Sequence, residues 1–420
     1  MLPLLPIYPP PASTPTPNLR VVPRSFPDSR YTLNTHIVPA AYLRCTPLAE
    51  SPPPAPAPQT ASKAERRAKT AERVAWVIAQ GERPQGRHER VLWCAVNRYT
   101  RKDATGGEGT GVTLFLAHAN GFPKETWEAA ILDLLAIPNG AIIDEIWAWE
   151  AVHHGASYQL NSKLPFCNVW ADDARDVLNF LLHFLPSSIS SELPTFLPRV
   201  APEESALRKV RGFSERKLFA VGHSFGGCCC TWAALTHPRL FTSLMLVDPV
   251  INRFGTPTQD PNTMFLDGAV ARRDTWPSRE IAHKTFAANP FFAAWDPRVL
   301  DAYVAHGLVE APDGSVQLAM PGLQEALVFE GTPSGAPVWD MLPTLDERIP
   351  LRWVVPGQPG EPEIGGPGAT QERVWRRPAN SSNIRIARAG HLITQQAPAE
   401  LAREIAGMLQ GRFTKVQAKL

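Results

Sequence analysis

The chain has 420 residues, of which 44% are hydrophobic and 20% charged, enough apolar side chain to bury the core of one large domain or two ordinary ones. Lys+Arg number 42 against 40 Asp+Glu, for a formal net charge of +2, and so even a balance offers no chain-wide field for gathering nucleic acid or an anionic membrane. No apolar run reaches the roughly eighteen residues that a bilayer-spanning helix needs, and six cysteines without a Cys-x-x-Cys pair exclude a disulfide scaffold.

The 43 prolines crowd the front of the chain. Residues 1–30 carry nine of them with little apolar periodicity, so this stretch reads as disordered or extended. Its opening, Met1-Leu2-Pro3-Leu4-Leu5-Pro6, is broken by proline and lacks a basic leader region, which makes it a poor secretory signal and points to an intracellular protein. Tyr31 to Arg44 looks like a strand. Ser51 to Pro58 reads as a polyproline II linker, and Ser62 to Gln80 as a helix that stops at Gly81. Lys63, Arg66, Arg67, Lys69 and Arg73 outnumber Glu65 and Glu72 there, a pattern read as the solvated face of an insertion spanning residues 50–85.

From Val91 onward strands and helices alternate. Val91 to Tyr99 is a strand, followed by a Gly-rich turn at Thr105 to Gly111. Val112 to Ala117 is an apolar run fit for a buried parallel strand. Glu125 to Leu135 is a helix, Ile146 to Ala151 a strand, and Ala171 to Phe184 a strongly periodic helix. Pro186 to Arg211 is a polar insertion. Lys217 to Val221 (strand), Gly227 to Leu235 (helix) and Leu244 to Val247 (strand) follow in quick order. Residues 255–345 break the rhythm with helical, aromatic-rich sequence, read as a cap. It resumes with strands at Leu351 to Val355 and Ile384 to Ala387, a helix near Ala369 to Trp375 and a last helix at Pro398 to Leu409. Such alternation implies a mostly parallel sheet flanked by helices. The core then comprises residues 31–254 and 346–412, with 413–420 left as a tail.

Gly222-His223-Ser224-Phe225-Gly226 matches G-x-S-x-G and sits between a predicted strand and a predicted helix, the setting in which a tight turn pushes a serine outward. A side chain at Gly222 or Gly226 would collide with the neighbouring helix or strand. A serine hydroxyl needs a base within hydrogen-bond reach. In this fold the base comes last in the chain, and past Asp248 only His283, His306 and His391 remain. The first two fall in the cap; His391 directly follows the last strand and is read as the base. The acid is read as Asp248, which ends the strand Leu244 to Val247, with Glu361 and Glu363 after the next strand as the alternatives. The second oxyanion donor is expected in His118-Ala119-Asn120-Gly121-Phe122-Pro123, with Asn120 in the donor position and the Phe225 N–H as its partner. His118 and the pair His153-His154 are read as loop residues, because no His-Glu-x-x-His or carboxylate cluster accompanies them. The consecutive Cys228, Cys229 and Cys230 suit buried packing. Neither a metal nor an organic cofactor is called for.

These residues resemble the α/β-hydrolase fold. His118 to Glu125, Gly222 to Gly227 and Val247 to Ile251 together are similar to a fungal peroxisomal branch that includes hydrolases of host-selective toxin biosynthesis and a yeast peroxisomal lipase. The resemblance covers residues 31–44 and 88–412; the insertion at 50–85 and the loop at 186–211 depart from it. It implies an α/β-hydrolase with a helical cap between late strands, acting as a serine hydrolase on an ester or thioester of an apolar acyl group. Phe265, Trp276, Phe286, Phe291, Phe292 and Trp295 would form the lid and acyl pocket. Carbon–carbon bond hydrolysis or a lyase reaction in secondary metabolism can use the same residues, and a non-catalytic binding module on the same fold is the alternative of another class. Ser224 at the elbow excludes the carboxylate-nucleophile relatives, the epoxide hydrolases and haloalkane dehalogenases. The ending Ala418-Lys419-Leu420 resembles the Ser-Lys-Leu address read by the peroxisomal import receptor, which places the protein in the peroxisome matrix, with the cytosol as the alternative.

Overall fold

The computed structural model describes residues 4–412 apart from 19–22, 47, 50, 59, 84–85, 105–110, 139, 162–168, 191 and 254–260, and gives the backbone alone for 261–264. Among these residues the strands are β1 (Tyr31–Pro39), β2 (Trp93–Arg101), β3 (Gly111–Ala117), β4 (Glu145–Trp149), β5 (Arg216–His223), β6 (Ser243–Val247), β7 (Thr275–Trp276), β8 (Leu308–Glu310), β9 (Val316–Leu318), β10 (Leu351–Pro356) and β11 (Ser381–Ile386). Eight of them form one sheet in the order β1-β2-β4-β3-β5-β6-β10-β11. β1 and β4 run antiparallel to β2, and every other pairing in this sheet is parallel.

The short apolar runs sit in the middle because they can be buried on both faces: β4 and β6 have no exposed residue. Alternate residues point to opposite sides. Phe115, Ala220 and Leu246 meet the helices Trp170–Asn179 and Phe225–Thr236, whereas Leu116, Val221 and Val247 meet Glu128–Leu135 and Pro398–Leu409. β5 lies between β3 and β6, so the carboxyl ends of these three strands open side by side at the sheet's edge, where ligand sites of such sheets form.

The structure revises several expectations outside the sheet. The first thirty residues are not loose throughout. Tyr8 pairs with Tyr42, and the carbonyls of Leu5 and Pro6 accept from the Arg175 guanidinium at 3.0 and 2.8 Å. The buried Arg175, whose third nitrogen pairs with Asp172 at 2.5 Å, holds this segment down. The 186–211 loop ends in a helix, Pro202–Arg211, started by Pro202 and acidic in its first turn. The insertion helix Lys63–Gly81 begins with a capping box, Ser62 N–H donating to Glu65 Oε2 at 2.7 Å and Glu65 N–H to Ser62 Oγ at 3.2 Å. Its outer face is solvated, as Lys63, Arg66 and Arg67 suggest, but Val74 and Val77 are buried against Leu266, Ala269, Leu323 and Leu327 of the cap. The cap is likewise not purely helical: β7, β9 and β8 form a small antiparallel sheet within it. The Gly-rich turn except Gly111, and the tail 413–420 with its ending Ala418-Lys419-Leu420, lie outside the described residues. Among the described residues no helix is long and apolar enough to cross a membrane.

Candidate active site

The turn after β5 is strained where the sequence motif places it. Ser224 has φ +55°, and its N–H donates to Val247 O at 2.9 Å. Non-glycine residues seldom occupy positive φ, and such strain clusters at functional sites. The two flanking glycines allow the turn. A Cβ on Gly222 would lie 2.6 Å from Gly226 O, and one on Gly226 would lie 2.5 Å from His118 O. Gly226 N–H donates to that same His118 carbonyl at 3.1 Å, fastening the turn to the end of β3.

Three side chains far apart in sequence meet here. Asp248 follows β6 with φ +35°, its N–H bonded to Val354 O at 2.9 Å. His391 follows β11, and its Nδ1–H donates to Asp248 Oδ2 at 2.6 Å. Because a carboxylate only accepts, the proton belongs on Nδ1, which leaves Nε2 to accept from Ser224 Oγ at 3.0 Å. Asp248 is buried, which alone would raise its pKa. The His391 hydrogen bond, the His391 charge and the Arg373 charge outweigh burial, and the carboxyl sits below its ordinary value. Neither alternative acid reaches the imidazole. Glu361 Oε1 accepts from the backbone N–H of His391 at 3.0 Å, and Glu363 Oε2 from Thr370 N–H at 2.9 Å. Glu361 therefore shapes the loop that carries His391.

The oxyanion side is a turn after β3. Phe225 N–H is the first of the helix Phe225–Thr236 and has no acceptor within the helix. Asn120 is buried, its Nδ2–H donating to Glu325 O at 3.3 Å. Gly121 takes φ +87° and donates its N–H to His154 Nε2 at 2.8 Å. The two neighbouring histidines read as loop residues thus brace the site. His154 holds the turn, and His153 Nε2 lies 3.2 Å from Asp173 Oδ1 behind it. His118 accepts Ala151 N–H on Nε2 at 3.1 Å, and its other nitrogen meets Ala119 O at 2.8 Å. Burial pulls it down to about 3, so it is a neutral brace. Among the described residues no group of His, Cys, Asp and Glu is arranged to hold a metal ion. The five described cysteines, Cys228 to Cys230 included, are free and buried.

The cap closes over this turn. Trp276, Phe286, Phe292 and Trp295 form one aromatic cluster, and Phe122 packs on it, 5.4 Å from Trp295 and 6.1 Å from Tyr303 between ring centres. Phe265 instead stacks on Phe329 away from the cluster, and Phe291 lies on its outer, exposed side. The expected pocket residues therefore mostly pack cap to core. A small hollow beside Gly121 and Phe122 is lined by His154, Arg272, Tyr303 and Met320. The sequence marks none of those last four as lining residues, for their chain segments carry no shared motif. Asp296 N–H donates to Gln395 O at 2.8 Å, which ties the cap to the short helix behind His391.

Residues 114–404 match the model of the alpha/beta hydrolase family. The chain belongs to this family. A type I acyl-CoA thioesterase of Penicillium roqueforti is 32% identical over 231 residues, 53% of this chain and 46% of its own length. An Abhydrolase domain-containing protein of Alternaria alternata is 36% identical over 122 residues, 27% of this chain and 45% of its own length. The match spans less than half the length of these relatives. Among solved structures, the peroxisomal alpha-beta-hydrolase Lpx1 of Saccharomyces cerevisiae superposes with a TM-score of 0.65 at 18% identity, covering 94% of this chain and 92% of its own. At that identity the likeness speaks for the fold. The relatives are fungal and the fold is that of the family, as the sequence motifs implied.

Proposed function

We propose that this family member is a serine hydrolase that cleaves an ester or thioester of a mostly apolar acyl group through an acyl-enzyme. The observation that carries the reading is the continuous chain from Ser224 Oγ to His391 Nε2 and from His391 Nδ1 to Asp248 Oδ2. In this reading Ser224 attacks the carbonyl carbon as its proton passes to Nε2, and the imidazolium is stabilised by Asp248. The oxygen turns negative, and the N–H of Phe225 with the Asn120 turn supplies the donors; loss of one such donor costs about a hundredfold or more. The imidazolium then protonates the leaving thiolate or alkoxide, and a water activated by the same nitrogen releases the acid. No metal or organic cofactor enters this scheme.

A thioester is the better-supported substrate bond, with a thiolate as leaving group, because relatives over half the chain are named acyl-CoA thioesterases. In this reading the acyl chain lies beside Gly121, against Tyr303 and Met320. Delivery to the peroxisome through Ala418-Lys419-Leu420 is part of the proposal; an N-terminal fluorescent fusion should gather in peroxisomes and lose that address when Leu420 is removed.

The experiment is a fluorophosphonate probe with peptide mapping, alongside acyl-thioester and p-nitrophenyl ester series of rising chain length. Labelling at Ser224 with turnover of one series is expected. Labelling with no turnover of either would move the reading toward carbon–carbon bond cleavage, and no labelling of folded protein would end it.

A further inference from the structure

The carboxylate that meets His391 has a second oxygen. Asp248 Oδ1 is buried and without a hydrogen-bond partner, Arg373 Nη1 is in the same condition, and the two atoms lie 3.6 Å apart. Arg373 is 1% exposed and comes from the helix Ala369–Trp375. Its aim is set by its other nitrogens: Nε donates to Ile251 O at 2.8 Å, and Nη2 to Asn252 Oδ1 at 2.9 Å and Ile364 O at 2.5 Å. Two of the three nitrogens are thus spent on the loop after Asp248 and the segment before the helix. The third can only face the carboxylate.

A buried guanidinium costs several kcal/mol to desolvate unless it is compensated. Packing this loop needs three donors at most, which a neutral amide could partly provide. The charge is what the loop does not use, and Asp248 is where it is directed.

We propose that Arg373 is a positioning residue for the Ser224–His391–Asp248 arrangement, orienting the carboxylate through Oδ1 and limiting how tightly it holds the imidazolium on Oδ2. The proposal rests on the serine hydrolase reading. The physical argument is a balance of two cations on one anion. With Arg373 present, Asp248 shares its charge between the guanidinium and His391, so the imidazolium formed during attack gives its proton to the leaving group more readily. Without it, the carboxylate pulls on the imidazole alone and is also free to rotate.

The other groups facing these side chains do not replace it. His223 sits beside His391, its Nε2 2.9 Å from His391 O, and burial pulls it down to about 3, so it is neutral. Glu361 meets the His391 backbone N–H. Glu363 and the thiol of Cys228 also lie near Arg373; burial pushes that thiol well above its ordinary value, so it stays neutral. Arg373 is the cation directed at Asp248 besides His391 itself.

The test is the second-order rate of fluorophosphonate labelling of Ser224 from pH 4 to 10, in the wild-type full chain, Arg373→Met and Arg373→Lys. Labelling needs the free imidazole, so the acid limb of the profile reads the Asp248–His391 pair without any knowledge of the substrate. A unit charge several ångströms away at an effective dielectric constant of about 20 shifts a titration by about one to two pH units. Arg373→Met should move the acid limb up by that amount and lower the plateau about tenfold. Arg373→Lys, which keeps the charge and loses the fork, should hold the limb near its wild-type position with a lowered plateau. Were Arg373→Met not to fold, Arg373→Gln reads the same loss of charge. An unmoved acid limb in a folded, uncharged variant would overturn the positioning role, even with a reduced rate. A wild-type protein that does not label would overturn the hydrolase reading instead, so the two failures are distinct.

Discussion

The two walls of the site are built by different means. On the core side each functional group stands at the end of a strand and is fixed by backbone hydrogen bonds: Ser224 to Val247, Asp248 to Val354, Gly226 to His118. On the cap side the wall is made by side chains packing on side chains, with Phe122, Trp295 and Tyr303 in edge-to-face contact. Backbone ladders fix position to a fraction of an ångström, as nucleophile and base require. Aromatic packing is strong yet has no register, and it is broken or rebuilt by changing single residues. In the proposed reading, chemistry belongs to the first wall and choice of substrate to the second.

That division can be broken from the core side with the largest effect. Asp248→Asn should lower kcat about ten-thousandfold with little change in KM, as loss of the acid does in other triads. Glu363→Gln, at a carboxylate that accepts from Thr370 N–H and not from the imidazole, should stay within about twofold. Steady-state kinetics on the two variants measure the contrast, and the opposite ranking would move the acid to Glu363.

From the cap side, Trp295→Ala should cost about 3–5 kcal/mol of stability, the usual result for a buried large aromatic. It should raise KM for long acyl chains while the labelling rate of Ser224 by a small fluorophosphonate stays within about threefold. Thermal melts and the two rate measurements separate these effects. An equal fall in both rates would mean that the cap also holds the chemistry.

The smallest effect concerns the insertion helix. Glu330 on the cap lies against the end of that helix, where a Cβ on Gly81 would collide with the Glu330 side chain. Burial first, and then the charge of Glu82, pushes Glu330 up to about 7. An acid whose pKa is higher folded than unfolded binds more protons when folded, so its contribution is full below about 4.5 and is lost as pH rises through about 7. Glu330→Gln should therefore raise Tm relative to wild type at pH 8 and leave it nearly unchanged at pH 4.5. Equal shifts at both values would remove the titration as the cause.

How much of this is legible in the sequence follows the same division. Ser224 and Asp248 are candidates because each sits just past an apolar run, and His391 because it is the one histidine left after the last strand and outside the cap. β7 and β8 cannot, since two or three residues carry no period. Arg373 has no local signature: its partner Ile251 is 122 residues away, and nothing near Trp375 hints at it. The docking of the insertion on the cap is hidden for a related reason. Val74 and Val77 look like the ordinary apolar stripe of a helix, and only the fold supplies Leu266 and Leu323 to cover them. The place of Glu361 after β10 makes it a candidate acid, which is right for the strand and silent on the loop. Its carboxylate turns to the His391 backbone.

The most direct test of the central claim is an acyl-enzyme caught in the act. Rapid-quench reaction of the wild-type protein with a long-chain acyl thioester, followed by intact-mass and peptide analysis, should show a transient gain of one acyl group on the peptide holding Ser224. The gain should appear faster than free acid accumulates and be absent in Ser224→Ala. Steady release of acid by wild type with no acylated Ser224 at any quench time, or undiminished release by Ser224→Ala, would contradict the account.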